Sequence, residues 1–166
     1  MKPQSPTEFV RRTGSTDGEL SRRSQFVKLF KQTPIPEEEI LPMLGLFTNR
    51  QAWSRYIYLN ELYQQILPVH GVIMEFGVRW GQNLSLFTNF RGMYEPFNHN
   101  RKIIGFDTFE GFPAIHENDG NAPVAVPGAY SVTPGYENYL EQVLDYHESE
   151  APIDHIRKFE LVKGDA

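Results

Sequence analysis

The sequence contains no cysteine, which excludes disulfides, thiolate zinc sites and a cysteine nucleophile together. It has no apolar run of 18 residues and no basic-then-apolar N-terminal pair. Neither a membrane span nor a signal peptide is read from it, and the expectation is a soluble, cytoplasmic protein. Positive charge is scarce: 16 basic side chains stand against 21 acidic ones, for a formal net charge of -5. A polyanion-binding protein shows a dense basic patch or stripe. The nearest feature here is Arg11, Arg12, Arg22, Arg23, Lys28 and Lys31, which reads as a solvated face. Neither nucleic acid nor membrane is expected as a partner.

The 166 residues suit one domain of ordinary size with an extension, and a chain of that length buries roughly two-thirds of its unfolded surface. Hydrophobic types at 40% and charged ones at 22% place it among globular proteins. Its 12 Phe, 8 Tyr and 2 Trp exceed what a bland core needs and serve either a pocket or a Phe-rich core.

Residues 1–47 form a polar extension, read as mobile or loosely wrapped, in which Phe26-Val27-Lys28-Leu29-Phe30 is a short helix or an anchoring turn. This aromatic region is compatible with self-association into a homo-oligomer. Pro36-Glu37-Glu38-Glu39 is an acidic first helical turn that Pro42 limits. Residues 48–166 carry the main pattern. Trp53, Tyr56, Ile57, Leu59, Leu62, Tyr63, Ile66 and Leu67 recur at helical spacing until Pro68 and Gly71. Residues 71–77 are apolar enough for a buried parallel strand. A helix over 81–90, a strand over 102–107, a long excursion over 111–134, a helix over 136–148 and a strand over 159–165 follow. This alternation predicts the beginning of a doubly wound α/β sheet, with ligands at the carboxyl ends of its strands. The last strand falls at the end of the sequence with no helix after it, so the pattern predicts a portion of a longer protein.

Glu75-Phe76-Gly77-Val78-Arg79-Trp80-Gly81 sets two glycines four apart between a strand and a helix. Gly77 permits a sharp turn beneath a ligand, and Gly81 removes a side chain where the helix approaches ligand or sheet. The spacing is neither the dinucleotide fingerprint nor a phosphate loop, since Arg holds position 79 and no Gly-Lys-Ser/Thr follows. Asp107 ends the next strand, where a carboxylate accepts hydrogen bonds from a ribose diol. Nicotinamide enzymes share that position, so position by itself leaves the cofactor open.

Three stretches carry a resemblance: Glu75-x-Gly77-x-x-x-Gly81, then Ile104-Gly105-Phe106-Asp107-Thr108-Phe109-Glu110-Gly111-Phe112-Pro113, and finally Val162-Lys163-Gly164-Asp165-Ala166. The sequence from about Arg55 onward resembles the class I S-adenosylmethionine-dependent methyltransferases, a Rossmann-like fold, and within them the macrocin O-methyltransferase-like branch that modifies sugars and related natural products. The resemblance implies that Glu75, Gly77 and Gly81 shape the pocket for the methionine part of the cofactor. It implies that Asp107 holds the ribose hydroxyls, that Thr108 and Phe109 border ribose and adenine, and that Asp165 lies near the adenine amino group. Arg55, Tyr56, Tyr58, Tyr130 and Ser131 become candidates for a lid over a small-molecule acceptor.

The family's acidic metal ligands and catalytic base lie beyond the matched residues, so the magnesium that the resemblance implies has no assigned ligand here and the catalytic residues are unassigned. His116, His147 and His155 show no metal-ligand spacing and read as surface residues, while Glu117 and Asp119 flank His116 with nothing to orient them. Two other readings stand beside the methyltransferase: a non-catalytic binding or interaction module, and an NAD-dependent oxidoreductase supported by fold analogy.

Overall fold

The computed structural model describes residues 15–114 and 126–165. Arg11, Arg12, His116, Glu117, Asp119 and Ala166 lie outside them. The chain divides into two compact units, Met1–Arg55 and Tyr56–Ala166. Among the described residues no helix is long and apolar enough to cross a membrane.

In the first unit, α1 spans Asp17–Lys31, a full helix where the sequence suggested a loose wrap with at most a short helix. Its start is a capping box: the Glu19 N–H donates to Thr16 Oγ1 (3.3 Å) and the Thr16 N–H donates to Glu19 Oε2 (2.8 Å). Acidic Asp17 and Glu19 open the helix, and Lys28 and Lys31 sit in its last turn, both in the sense the helix dipole favours. Arg22, Arg23, Lys28 and Lys31 are all exposed, a solvated face as expected. The helix α2, Glu37–Ile40, is one acidic turn, and a 3-10 turn over Leu44–Phe47 follows it. Phe47 meets Phe30 edge-on at 4.9 Å and Phe26 at 6.2 Å. The helix α3, Arg50–Ile66, begins where Asn49 Oδ1 accepts the Ala52 N–H, and it continues into the second unit.

The second unit is built on three parallel strands in the order β1-β2-β3: Ile73–Phe76, Ile103–Asp107 and Phe159–Lys163. Between them run α4, Gln82–Tyr94, and α5, Tyr136–Ser149. The register aligns Ile73 with Ile103 and Phe159, and Glu75 with Gly105 and Leu161. These rows face the helices: Leu84 of α4 and Leu140 and Leu144 of α5 pack in one core with Ile103, Phe159, Val78 and Phe109. A second cluster joins Leu59 and Tyr63 of α3 to Phe90 of α4. Strands in sequence order with both helices on one face are what successive crossovers of one hand produce.

The strand expected to be buried is half so. Met74 and Phe76 of β1 are 53% and 65% exposed, because α4 and α5 share the opposite face. Gly105, at the centre of the sheet, explains how closely α4 approaches. A Cβ there would come within 2.6 Å of Leu84 and 2.7 Å of Val78.

Candidate cofactor site

A cavity of about 360 Å³ opens at the carboxyl ends of the three strands, a size within the range of small-molecule sites. Phe76, Gly77 and Arg79 line it from the end of β1, and Phe106, Asp107 and Thr108 from the end of β2. Gly164 and Asp165 contribute from the end of β3. Gly111, Phe112, Pro113, Ala129 and Tyr130 close it from the loop that follows β2. The strand ends hold together past the sheet itself: the Gly77 N–H donates to the Phe106 carbonyl (2.9 Å) and the Gly164 N–H to the Asp107 carbonyl (3.0 Å).

Asp107 organises this end of the sheet. Its Oδ2 accepts the N–H of Arg79 (2.7 Å), and its Oδ1 accepts the N–H of Phe109 (2.6 Å). Both donors are non-glycine residues at positive φ, 52° and 58°. Such backbone costs energy unless the surroundings enforce it, and here one carboxylate enforces both. Each oxygen keeps a second lone pair for a ligand.

The loop after β2 owes its shape to Gly111, at φ 80°. Any side chain there would collide with Gly128 and Ala129, whose backbone bonds to Phe112 in both directions. Thr108 Oγ1 donates to the Gly111 carbonyl (2.7 Å) and accepts from the Glu110 N–H (3.2 Å). Phe112 and Tyr130 then meet edge-on at 5.6 Å.

Of the residues singled out in the sequence, Gly77, Asp107, Thr108, Tyr130 and Asp165 come together on the cavity. Glu75 lies one pleat back, accepting from Asn83 Nδ2 (2.6 Å). The Phe109 ring is in the core, 4% exposed, so only its backbone serves the site. Gly81, at φ 73°, is a packing glycine: a Cβ would overlap Leu140 of α5. Tyr56 accepts from Gln82 Nε2 (3.2 Å) at the start of α4, and Tyr58 is 59% exposed. Arg55 is exposed and belongs to the first unit, and Ser131 follows Tyr130 outside the lining. Sequence reasoning did not select Arg79, although it quoted the residue. It also missed the aromatic wall of Phe76 and Phe106, whose rings stack at 5.0 Å; the only sequence signal for that wall was their place at two strand ends.

Among the described residues no three His, Asp or Glu side chains form a cluster fit for a metal ion. His147 is half-buried, not on the surface as expected, and burial lowers its pKa against a smaller opposing pull from Glu150. His155 is exposed beside Asp154.

A parallel sheet with its cavity at the strand ends, a glycine turn after β1, an acidic residue closing β2 and a helical N-terminal extension together make the Rossmann-like fold of the class I S-adenosylmethionine-dependent methyltransferases. Two solved structures resemble the chain closely. The calicheamicin methyltransferase CalS11 matches 99% of it at 38% identity with a TM-score of 0.88. The apo structure of CalS11, described as a TDP-rhamnose 3'-O-methyltransferase of calicheamicin biosynthesis, matches 92% at 38% identity with a TM-score of 0.73. The chain is related to these proteins and spans 65% and 59% of their respective lengths. No family model matches it, and no curated protein does.

Proposed function

We propose that the protein is an S-adenosylmethionine-dependent O-methyltransferase, or the cofactor-binding part of one, acting on a hydroxyl of a sugar or related natural product. The observation that carries this reading is the 38% identity to CalS11 across 99% of the chain, with the cavity lying at the strand ends. The chemistry of the lining fits the cofactor. Phe76, Phe106 and Phe112 offer apolar surface to an adenine and exclude water, and Thr108 and Asp165 add polar groups at the edges. Gly77, at φ 84°, keeps the turn bare of side chains where the ligand backbone passes.

When bound, the cofactor supplies an electrophilic methyl group to the acceptor oxygen. The contribution of this chain is orientation, which accounts for a large share of the rate in such a displacement. Asp107 accepts the ribose hydroxyls on the lone pairs its two backbone bonds leave over. Asp165 faces the adenine amino group. Tyr130 and Ser131, with Arg55, Tyr56 and Tyr58, are the candidates for covering the acceptor. The macrocin O-methyltransferase-like branch is the assignment that the Phe-Asp-Thr-Phe-Glu-Gly-Phe-Pro run favours. Magnesium, which that branch implies, has no fitting donor set among the described residues.

Calorimetric titration of the chain with S-adenosylhomocysteine, using NADH as control, tests the reading. One-to-one binding of S-adenosylhomocysteine alone is expected, and Asp107→Asn should weaken it by about tenfold or more, since an amide places N–H groups against N–H donors. Binding of NADH in its place, or of neither ligand by a folded chain, would overturn it.

A further inference from the structure

Glu110 and Lys163 stand in two of the three stretches that carry the family resemblance, yet neither lines the cavity. The fold joins them. Lys163, the last residue of β3, is aligned in the sheet with Asp107, the last residue of β2. Its Nζ lies 3.2 Å from Glu110 Oε1, in the turn that leaves β2, and donates to Glu137 Oε1 of α5 (3.0 Å). Glu137 is a fixed post. It belongs to the first turn of α5, where the helix dipole favours a carboxylate, and the hydroxyl of the neighbouring Tyr136 donates to the Trp80 carbonyl (3.1 Å). Glu110 is 77% exposed, so the ammonium is what draws its side chain toward β3. Thr108 Oγ1 accepts the Glu110 N–H and donates to the Gly111 carbonyl, which makes residues 108–111 one stiff turn. A pull on Glu110 is therefore passed to Gly111, Phe112 and Pro113, which do line the cavity. Hydrogen bonds to Glu137 and then to Glu110 raise the Lys163 pKa above its ordinary value, so the side chain is charged at neutral pH. One cation thus stands between two carboxylates that would otherwise repel each other.

We propose that Lys163 is a positioning residue for cofactor binding: shared between Glu137 and Glu110, its ammonium holds the turn after β2 against the end of β3 and so sets the cavity wall of Gly111, Phe112 and Pro113. The inference rests on the cofactor reading above and adds to it a group that acts on the ligand without touching it.

The test is calorimetric titration with S-adenosylhomocysteine, each variant being melted first to establish that it folds. Lys163→Met should bind about three- to fivefold more weakly, the scale of exposed ion pairs, while Lys163→Arg, which keeps the charge, should stay within about twofold of the unaltered chain. Lys163→Met leaves two carboxylates with no cation between them. Adding Glu110→Gln to it removes that repulsion and should recover affinity, although Glu110→Gln by itself weakens binding; a role in stability alone gives no such reversal of sign. On the unaltered chain, affinity for the uncharged ligand 5′-methylthioadenosine should fall as sodium chloride rises from about 0.01 M to about 1 M, because screening loosens the pairs and the ligand brings no charge of its own to be screened. This last measurement decides the matter even where a variant does not fold. A Lys163→Met variant that binds as the unaltered chain does, a Lys163→Arg variant as weak as Lys163→Met, a double variant no tighter than Lys163→Met, or a methylthioadenosine affinity indifferent to salt overturns the proposal while leaving the cofactor reading intact. A folded chain that binds neither ligand overturns both.

Discussion

At the scale of single residues, the glycines on the path from β1 to α5 divide by what surrounds them. Gly77 has nothing within 4 Å of a notional Cβ, so its role is conformational, whereas Gly81 and Gly105 are steric. Gly105→Val forces its side chain into Leu84 and Val78 at the centre of the sheet, and overpacking of this kind costs about 1–3 kcal/mol. A lowered urea midpoint with an unchanged slope is the expected result. Gly81→Ala combines a clash with Leu140 and an unfavourable φ of 73°, and should lose about as much. Because Gly81 touches α5 and not the cavity, the variant's affinity for S-adenosylhomocysteine should change far less than its stability. The two glycines of the turn look alike in sequence; what separates them is a leucine some sixty positions away.

At the scale of elements, a buried charge cluster ties α4, α5 and β3 together. Arg91 of α4 donates to both oxygens of Glu148 of α5 (2.6 and 2.7 Å) and to the carbonyl of Lys158 (3.1 Å). Lys158 Nζ reaches the same carboxylate at 2.5 Å and also donates to the Ile156 carbonyl (2.6 Å). All three side chains are at most 5% exposed. The cluster holds two cations and one anion, which orders the effects of breaking it. Glu148→Gln leaves two buried positive charges facing each other and should cost about 3–5 kcal/mol, whereas Arg91→Met leaves a neutral Lys158–Glu148 pair and should cost less. Thermal melts of the two variants check that order. The partners stand 57 and 67 residues apart in sequence, so no periodicity announced them.

At the scale of the molecule, acid sensitivity should run through the junction where α3, α4 and β2 meet. Glu95, just past α4, accepts from Tyr63 (2.7 Å) and Asn98 (2.8 Å) and pairs with Arg101, which donates in turn to the carbonyls of Ile66 (3.1 Å) and Val69 (2.9 Å). Burial pushes the Glu95 carboxyl up, but hydrogen bonds from Arg101, Tyr63 and Asn98 together outweigh it, and the pKa falls below its ordinary 4.5. A depressed folded-state pKa stabilises the fold above the unfolded value, and that contribution is lost as pH falls through the folded one. Stability should therefore hold from neutrality down to about pH 5 and decline below it. Glu95→Gln should be less stable at neutral pH and show a shallower acid decline in a pH series of melts; an equally steep decline would remove Glu95 from this role.

Element order, parallel strands, the turn after β1 and the carboxylate closing β2 were all legible in the sequence, because they depend on local periodicity and on residue types at strand ends. The capping box of α1, Thr16-x-x-Glu19, was not read from the sequence, where a polar composition hid it. Tertiary structure alone decided that the Phe109 ring belongs to the core while its backbone serves Asp107, that the space beside Gly81 belongs to Leu140, and that Arg79 stands on the cavity wall. Local patterns follow from backbone geometry, which repeats every two or 3.6 residues. Which side chain fills a given space depends on segments brought together from distant parts of the chain, and that proximity leaves no repeat in a single sequence.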